Sequence, residues 1–100
     1  MPSVQHMVIL KFKPSTPRET IEAIFSELAG LQSLIPGIDR FVGGPYASGE
    51  GMHKDFTHGF LMEFESPTAR DVYLPHPEHE RVKAMIIPCI DDVIAFDFES

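Results

Sequence analysis

The sequence predicts an α+β domain in which an antiparallel four-stranded sheet carries its helices on one face, the ferredoxin-like arrangement. Three observations predict it. Segments with alternating apolar residues stand near the start (VQHMVILKF), past the middle (DFTHGFLMEFES) and at the end (DDVIAFDFE). One long segment with apolar residues at helical spacing follows the first, and two proline-opened helical segments precede the last. At 100 residues the chain has room for one core, so residues 1–100 form a single domain.

In the first strand Val4, His6, Val8, Leu10 and Phe12 share one face, while Gln5, Met7, Ile9 and Lys11 share the other. The stretch STPRETIEAIFSELAGLQSLIPG reads as a helix. Thr16 is its expected N-cap, Pro17 its first residue and Glu19 the partner in a capping box. Ile21, Ile24, Phe25, Leu28, Leu31 and Ile35 form the buried stripe, and Pro36-Gly37 ends it. A short strand from Arg40 to Gly43 leads into a Gly-rich polar loop. The Gly43-Gly44 pair is not a phosphate cradle, because no helix opens behind it.

The third strand sets Phe56, His58, Phe60, Met62 and Phe64 against Thr57, Gly59, Leu61 and Glu63. Ser66-Pro67 opens a short helix carrying Ala69, Val72 and Tyr73. A further helix starts at Pro77, with His76 in the cap region and Val82, Met85 and Ile86 turned inward. The last strand separates Val93, Ala95 and Asp97 from Ile94, Phe96 and Phe98. Helices on one sheet face leave Met7, Ile9, Leu61, Ile94, Phe96 and Phe98 uncovered on the other. A second copy of the same sheet buries them most economically, which predicts a homodimer joined through sheet faces.

Composition excludes several partners. The formal charge of −7, with no cluster of Lys and Arg, opposes binding to nucleic acid. No apolar run suits a membrane span and no leader pattern opens the chain, so a cytoplasmic protein is expected. The single cysteine, Cys89, has no internal disulfide partner and no second thiol for zinc. It reads as buried filler.

The segment YLPHPEH concentrates the candidate chemistry. His79 lies in the first turn of a helix, near neutrality, where a base is useful. Asp97 is the expected acceptor from His79, fixing its tautomer, and Tyr73 offers a hydroxyl to a carbonyl oxygen. His6 and His58 share the inward strand face with Val8, Leu10, Phe60 and Met62. Together these residues outline an enolate-forming site. The competing readings are a Tyr73 core anchor, a capping His76, a structural His79–Asp97 pair and core-edge histidines at His6 and His58. A metal held by His76 and His79 finds no further ligand nearby in sequence, so none is predicted. His53 reads as a solvated loop residue.

The segments HMVILKFK, IPGIDRFVGG, THGFLMEFES, YLPHPEH and FDFE resemble the stress-responsive dimeric α/β-barrel (Dabb) domain over nearly the whole chain. The resemblance implies two sheets packed into a central barrel with helices outside. It also implies, by similarity to the polyketide cyclases of this family, catalysis by His79 and Tyr73 with Asp97 in support. His6, Val8, Leu10, Phe25, Leu28, His58, Phe60, Met62 and His76 would then hold the substrate. The implied reaction is an intramolecular aldol closure of a small hydrophobic carbonyl compound, without a cofactor. The alternatives are a non-catalytic stress-responsive dimer that binds a ligand or stabilises other proteins, and oxidative chemistry on haem or quinone-like substrates.

Overall fold

A computed structural model describes residues 2–100. The elements run β1 (Val4–Phe12), α1 (Arg18–Leu34), β2 (Ile38–Pro45), β3 (His58–Phe64), α2 (Pro67–Tyr73) and α3 (Pro77–Ile86). A short 3-10 turn, Ile87–Cys89, then leads into β4 (Ile90–Glu99). The sheet order is β2-β3-β1-β4 with every neighbouring pair antiparallel, the ferredoxin-like order.

The register aligns His6 with Met62 on one side and Asp97 on the other, and Val8 with Phe60 and Ala95. Because side chains alternate, all six point to the helix-covered face. There Val4, Leu10, Phe12, Met62 and Phe64 meet Ile24, Leu28 and Leu31 of α1, Ile35 just past its end, Tyr73 of α2 and Val82 of α3 in one core. Met85 and Ile86 are only half-buried at its edge, and Cys89 is half-buried rather than enclosed, its Sγ 3.6 Å from the Met85 carbonyl oxygen.

The expected capping box of α1 does not form. The helix begins at Arg18 with Pro17 in the cap position and no side-chain cap. The Thr16 hydroxyl instead donates to the Cys89 carbonyl at 3.1 Å, tying the entry of α1 to the start of β4. The other two caps match expectation. Ser66 Oγ accepts from the Ala69 amide at 3.1 Å, and His76 Nδ1 accepts from the Glu78 amide at 3.1 Å. At the far end of α1, Gly37 takes φ +95°, and a Cβ there would lie 2.6 Å from Ala69 Cβ.

β2 is longer than the four residues expected, because β3 pairs with it from Ile38 to Pro45. β3 starts only at His58, since Lys54 and Asp55 adopt positive φ of 54° and 65° to bring the loop back. The sheet face without helices exposes Met7, Ile9, Val42, Ile94, Phe96 and Phe98, with Phe96 62% accessible. No described helix is long and apolar enough to cross a membrane.

Candidate functional site

Between α2, α3 and the inner sheet face lies a cavity of about 280 Å³, lined chiefly by apolar side chains. His6, Val8 and Leu10 of β1, Phe60 of β3, Leu28 of α1 and Val93 and Ala95 of β4 form one side. Tyr73, His79, Val82, Lys83 and Ile86 close the other.

Tyr73 reaches this cavity because Ser66 and Pro67 start α2 at a fixed point, and Tyr73 is its last residue. It is 1% exposed, with its ring centroid 4.8 Å from Phe64 and 4.2 Å from His79. Its hydroxyl makes no hydrogen bond to the protein among the described residues. Burial pushes its pKa well up, so the phenol keeps its proton and acts as a donor.

His79 is set by the next junction. The His76 cap and Pro77 open α3, and His79 Nδ1 then donates to the Leu74 carbonyl at 2.9 Å. With Nδ1 protonated, the neutral ring carries its lone pair on Nε2. Burial lowers the His79 pKa, outweighing the Leu74 hydrogen bond and Glu80, while Lys83 and His6 add to the lowering. The ring is therefore neutral and basic at pH 7.

Asp97 is not the partner of His79. The β1–β4 register places it opposite His6, whose Nδ1 lies 2.6 Å from Asp97 Oδ1, while α3 directs His79 to a backbone carbonyl. Asp97 Oδ2 accepts from Arg70 Nη1 at 3.0 Å, and Arg70 Nε donates to Asp71 at 2.9 Å. Burial raises the Asp97 pKa, but the hydrogen bonds from His6 and Arg70 prevail and hold it below the usual carboxylate value.

Of the residues expected to hold substrate, His6, Val8, Leu10, Leu28 and Phe60 line the cavity and Phe25, His58, Met62 and His76 do not. Met62 is sealed in the core, with no exposed surface. His76 spends its Nδ1 on the helix cap. His58 bonds Thr57 Oγ1 at 2.9 Å and packs against Phe12 and Phe25 at the N-terminal end of α1, beside a separate hollow of about 560 Å³. Sequence reasoning missed Leu74, Ile87 and Ile90 in the wall. Lys83 was legible as the i+4 neighbour of His79 on α3. His53 is a loop residue, as expected, but half-buried rather than solvated. Its ring stacks on Tyr46 at 3.5 Å and its Nδ1 is buried without a partner among the described residues. Tyr46 is held there by the Gly51 amide, 3.0 Å from its hydroxyl. No group of three or more His, Cys, Asp or Glu able to hold a metal occurs among the described residues.

The chain is similar to several known proteins. The stress-response A/B barrel domain-containing protein HS1 of Arabidopsis thaliana is 31% identical over 96 residues, covering 96% of this chain and 88% of that protein. Olivetolic acid cyclase of Cannabis sativa is 27% identical over 77 residues, covering 77% of this chain and 76% of the cyclase. A crystal structure of a dimeric ferredoxin-like protein of unknown function from Jannaschia sp. superposes with a TM-score of 0.88 at 27% identity, covering 98% of this chain and 99% of that one. Residues 4–100 match the Stress responsive A/B Barrel Domain, Dabb, from one end of the sheet to the other, and the chain belongs to that family.

Proposed function

We propose that the protein is a cofactor-independent enzyme that forms an enolate from a small hydrophobic carbonyl compound and closes it by intramolecular aldol condensation, as polyketide cyclases do. The observation that carries the reading is the pair formed by Tyr73 and His79. A lone-pair-bearing imidazole and a phenol donor meet in one apolar cavity, their rings 4.2 Å apart. His79 Nε2 removes a proton beside a carbonyl, and the Tyr73 hydroxyl holds the oxygen on which the negative charge collects. The low-dielectric wall strengthens that hydrogen bond. Because the reacting carbons belong to one molecule, the protein has mainly to fold the chain and steady the enolate. The similarity to olivetolic acid cyclase supports the same reading.

A volume of about 280 Å³ favours a short substrate, lying just below the roughly 300–1,000 Å³ typical of such pockets. The exposed apolar sheet face supports a homodimer, as does the dimeric state of the Jannaschia protein. A lone half-buried cysteine suits a reducing compartment such as the cytoplasm.

A second reading, a dimer that holds a ligand without converting it, draws support from the similarity to HS1, whose name records a stress response and no reaction. Incubation of the protein with linear triketones, followed by product analysis, separates the two. Cyclised product that disappears with His79→Ala, in a variant of unchanged melting temperature and oligomeric state, supports the enzyme. Saturable binding without product supports the second reading.

A further inference from the structure

We propose that His6 is a second proton-transfer residue of this cavity and that Arg70 positions it through Asp97. The inference rests on the enolate chemistry above and names the group that returns the proton.

His6 Nδ1 and Asp97 Oδ1 lie 2.6 Å apart. In the neutral ring with this contact, Nδ1 carries the hydrogen and donates it, since an ionised carboxylate only accepts. Nε2 is then the nitrogen left for the cavity, whose wall His6 forms, and it has no hydrogen-bond partner among the described residues. The other carboxylate oxygen is taken by Arg70 at 3.0 Å, and Arg70 is braced by Asp71 at 2.9 Å. Asp97 is thus held at both oxygens, which determines how the imidazole it grips is oriented. Packing does not call for this arrangement. The neighbours of His6 are Phe60, Phe64 and Tyr73, among which an apolar side chain would bury itself without any ionic partner.

The two imidazoles of the cavity differ in what they face when charged. His79 donates its Nδ1 hydrogen to the Leu74 backbone carbonyl at 2.9 Å with the Glu80 carboxylate 3.9 Å off, whereas His6 holds Nδ1 directly on the Asp97 carboxylate at 2.6 Å. His79 Nε2 removes the proton from carbon. The enolate carbon then attacks a second carbonyl of the same molecule, forming the carbon–carbon bond and moving the carbonyl π electrons to oxygen. The imidazolium of His6 delivers its Nε2 proton to that oxygen. His79 afterwards releases a proton to solvent and His6 takes one up, so the aldol addition is a redox-neutral isomerisation with no co-reactant, and loss of the new hydroxyl with a neighbouring C–H proton as water completes the condensation.

The test combines kinetics on a linear triketone with nitrogen NMR of the imidazoles in the ligand-free intact protein. His6→Gln is expected to lower kcat on the order of 10²-fold. Asp97→Asn keeps an acceptor for Nδ1 but removes the charge, and is expected to lower kcat about 10-fold with KM unchanged. Arg70→Met should follow Asp97→Asn, and Arg70→Lys should recover most of the loss, a pattern that a purely structural contact does not produce. NMR should show neutral His6 as the Nδ1–H tautomer. A His6→Gln variant with wild-type kcat overturns the proposal, and so does a His6 ring found as the Nε2–H tautomer, whether or not any triketone is converted. Turnover lost with His6→Gln but retained with His79→Ala would overturn the assignment of His79 as base and leave His6 in place.

Discussion

The rings of Tyr73 and His79 lie 4.2 Å apart and tilted by 34°, although they belong to different helices. The closeness follows from the chain between them. Tyr73 ends α2, His76 N–H donates to the Tyr73 carbonyl at 3.0 Å, and Pro77 starts α3 at once. A helix-to-helix junction thus becomes a site.

Tyr73→Phe removes the hydroxyl and leaves the buried ring. Because that hydroxyl has no protein partner among the described residues, the melting temperature should stay within about 2 °C of wild type, matching a change below about 0.5 kcal/mol. Turnover of a triketone should fall on the order of 10²-fold, as for loss of one oxyanion donor. Calorimetry and product assay read the two effects separately, and a variant with full activity would remove Tyr73 from the mechanism.

Activity should rise with pH along a limb set by His79. Its pKa lies below the ordinary imidazole value of 6.5, so the base stays unprotonated to more acidic pH than a free imidazole. The midpoint of the rising limb of kcat/KM should therefore fall below 6.5.

Stability should also fall toward acid. His79 and His58 both bind protons more weakly in the folded than in the unfolded chain, so their contribution is complete above 6.5 and is lost as pH drops through their lowered values. Asp97, also lowered, adds a further loss below its unfolded value of 3.8. Melting temperatures measured against pH should show both stages. His58→Gln should flatten the first, and an unchanged profile in that variant would contradict burial as the cause.

Gly37→Ala should destabilise the protein by about 1–3 kcal/mol. The new Cβ would sit 2.6 Å from Ala69 Cβ on a backbone at φ +95°. Denaturant titration measures it, and Gly30→Ala, with open space around the added Cβ, serves as the control.

Phe96→Asp puts a charge in the middle of the exposed apolar sheet face, where Phe96 pairs with Met7. Sedimentation should show a dimer for the wild type and a monomer for this variant. An unchanged dimer would place the interface elsewhere.

Much of the fold was readable in the order of residues because its signals are local. Alternation in VQHMVILKF and DFTHGFLMEFES placed two strands, and serine or histidine before proline placed the starts of α2 and α3. The α1 cap was misread because the Thr16 hydroxyl found a carbonyl 73 residues away, a partner no local pattern shows. His53 was misread for a similar reason, since its burial depends on Tyr46 folding back over the loop.

The strands, the helices, the apolar inner face and the presence of Tyr73 and His79 at one junction follow from the order of residues, because periodicity and capping act within a few residues. Tertiary structure alone decided that Asp97 grips His6 rather than His79, and that Phe25, His58 and Met62 stand outside the cavity. Those outcomes depend on strand register and helix placement, which bring together groups distant along the chain. A carboxylate pairs with whichever imidazole the sheet sets opposite it.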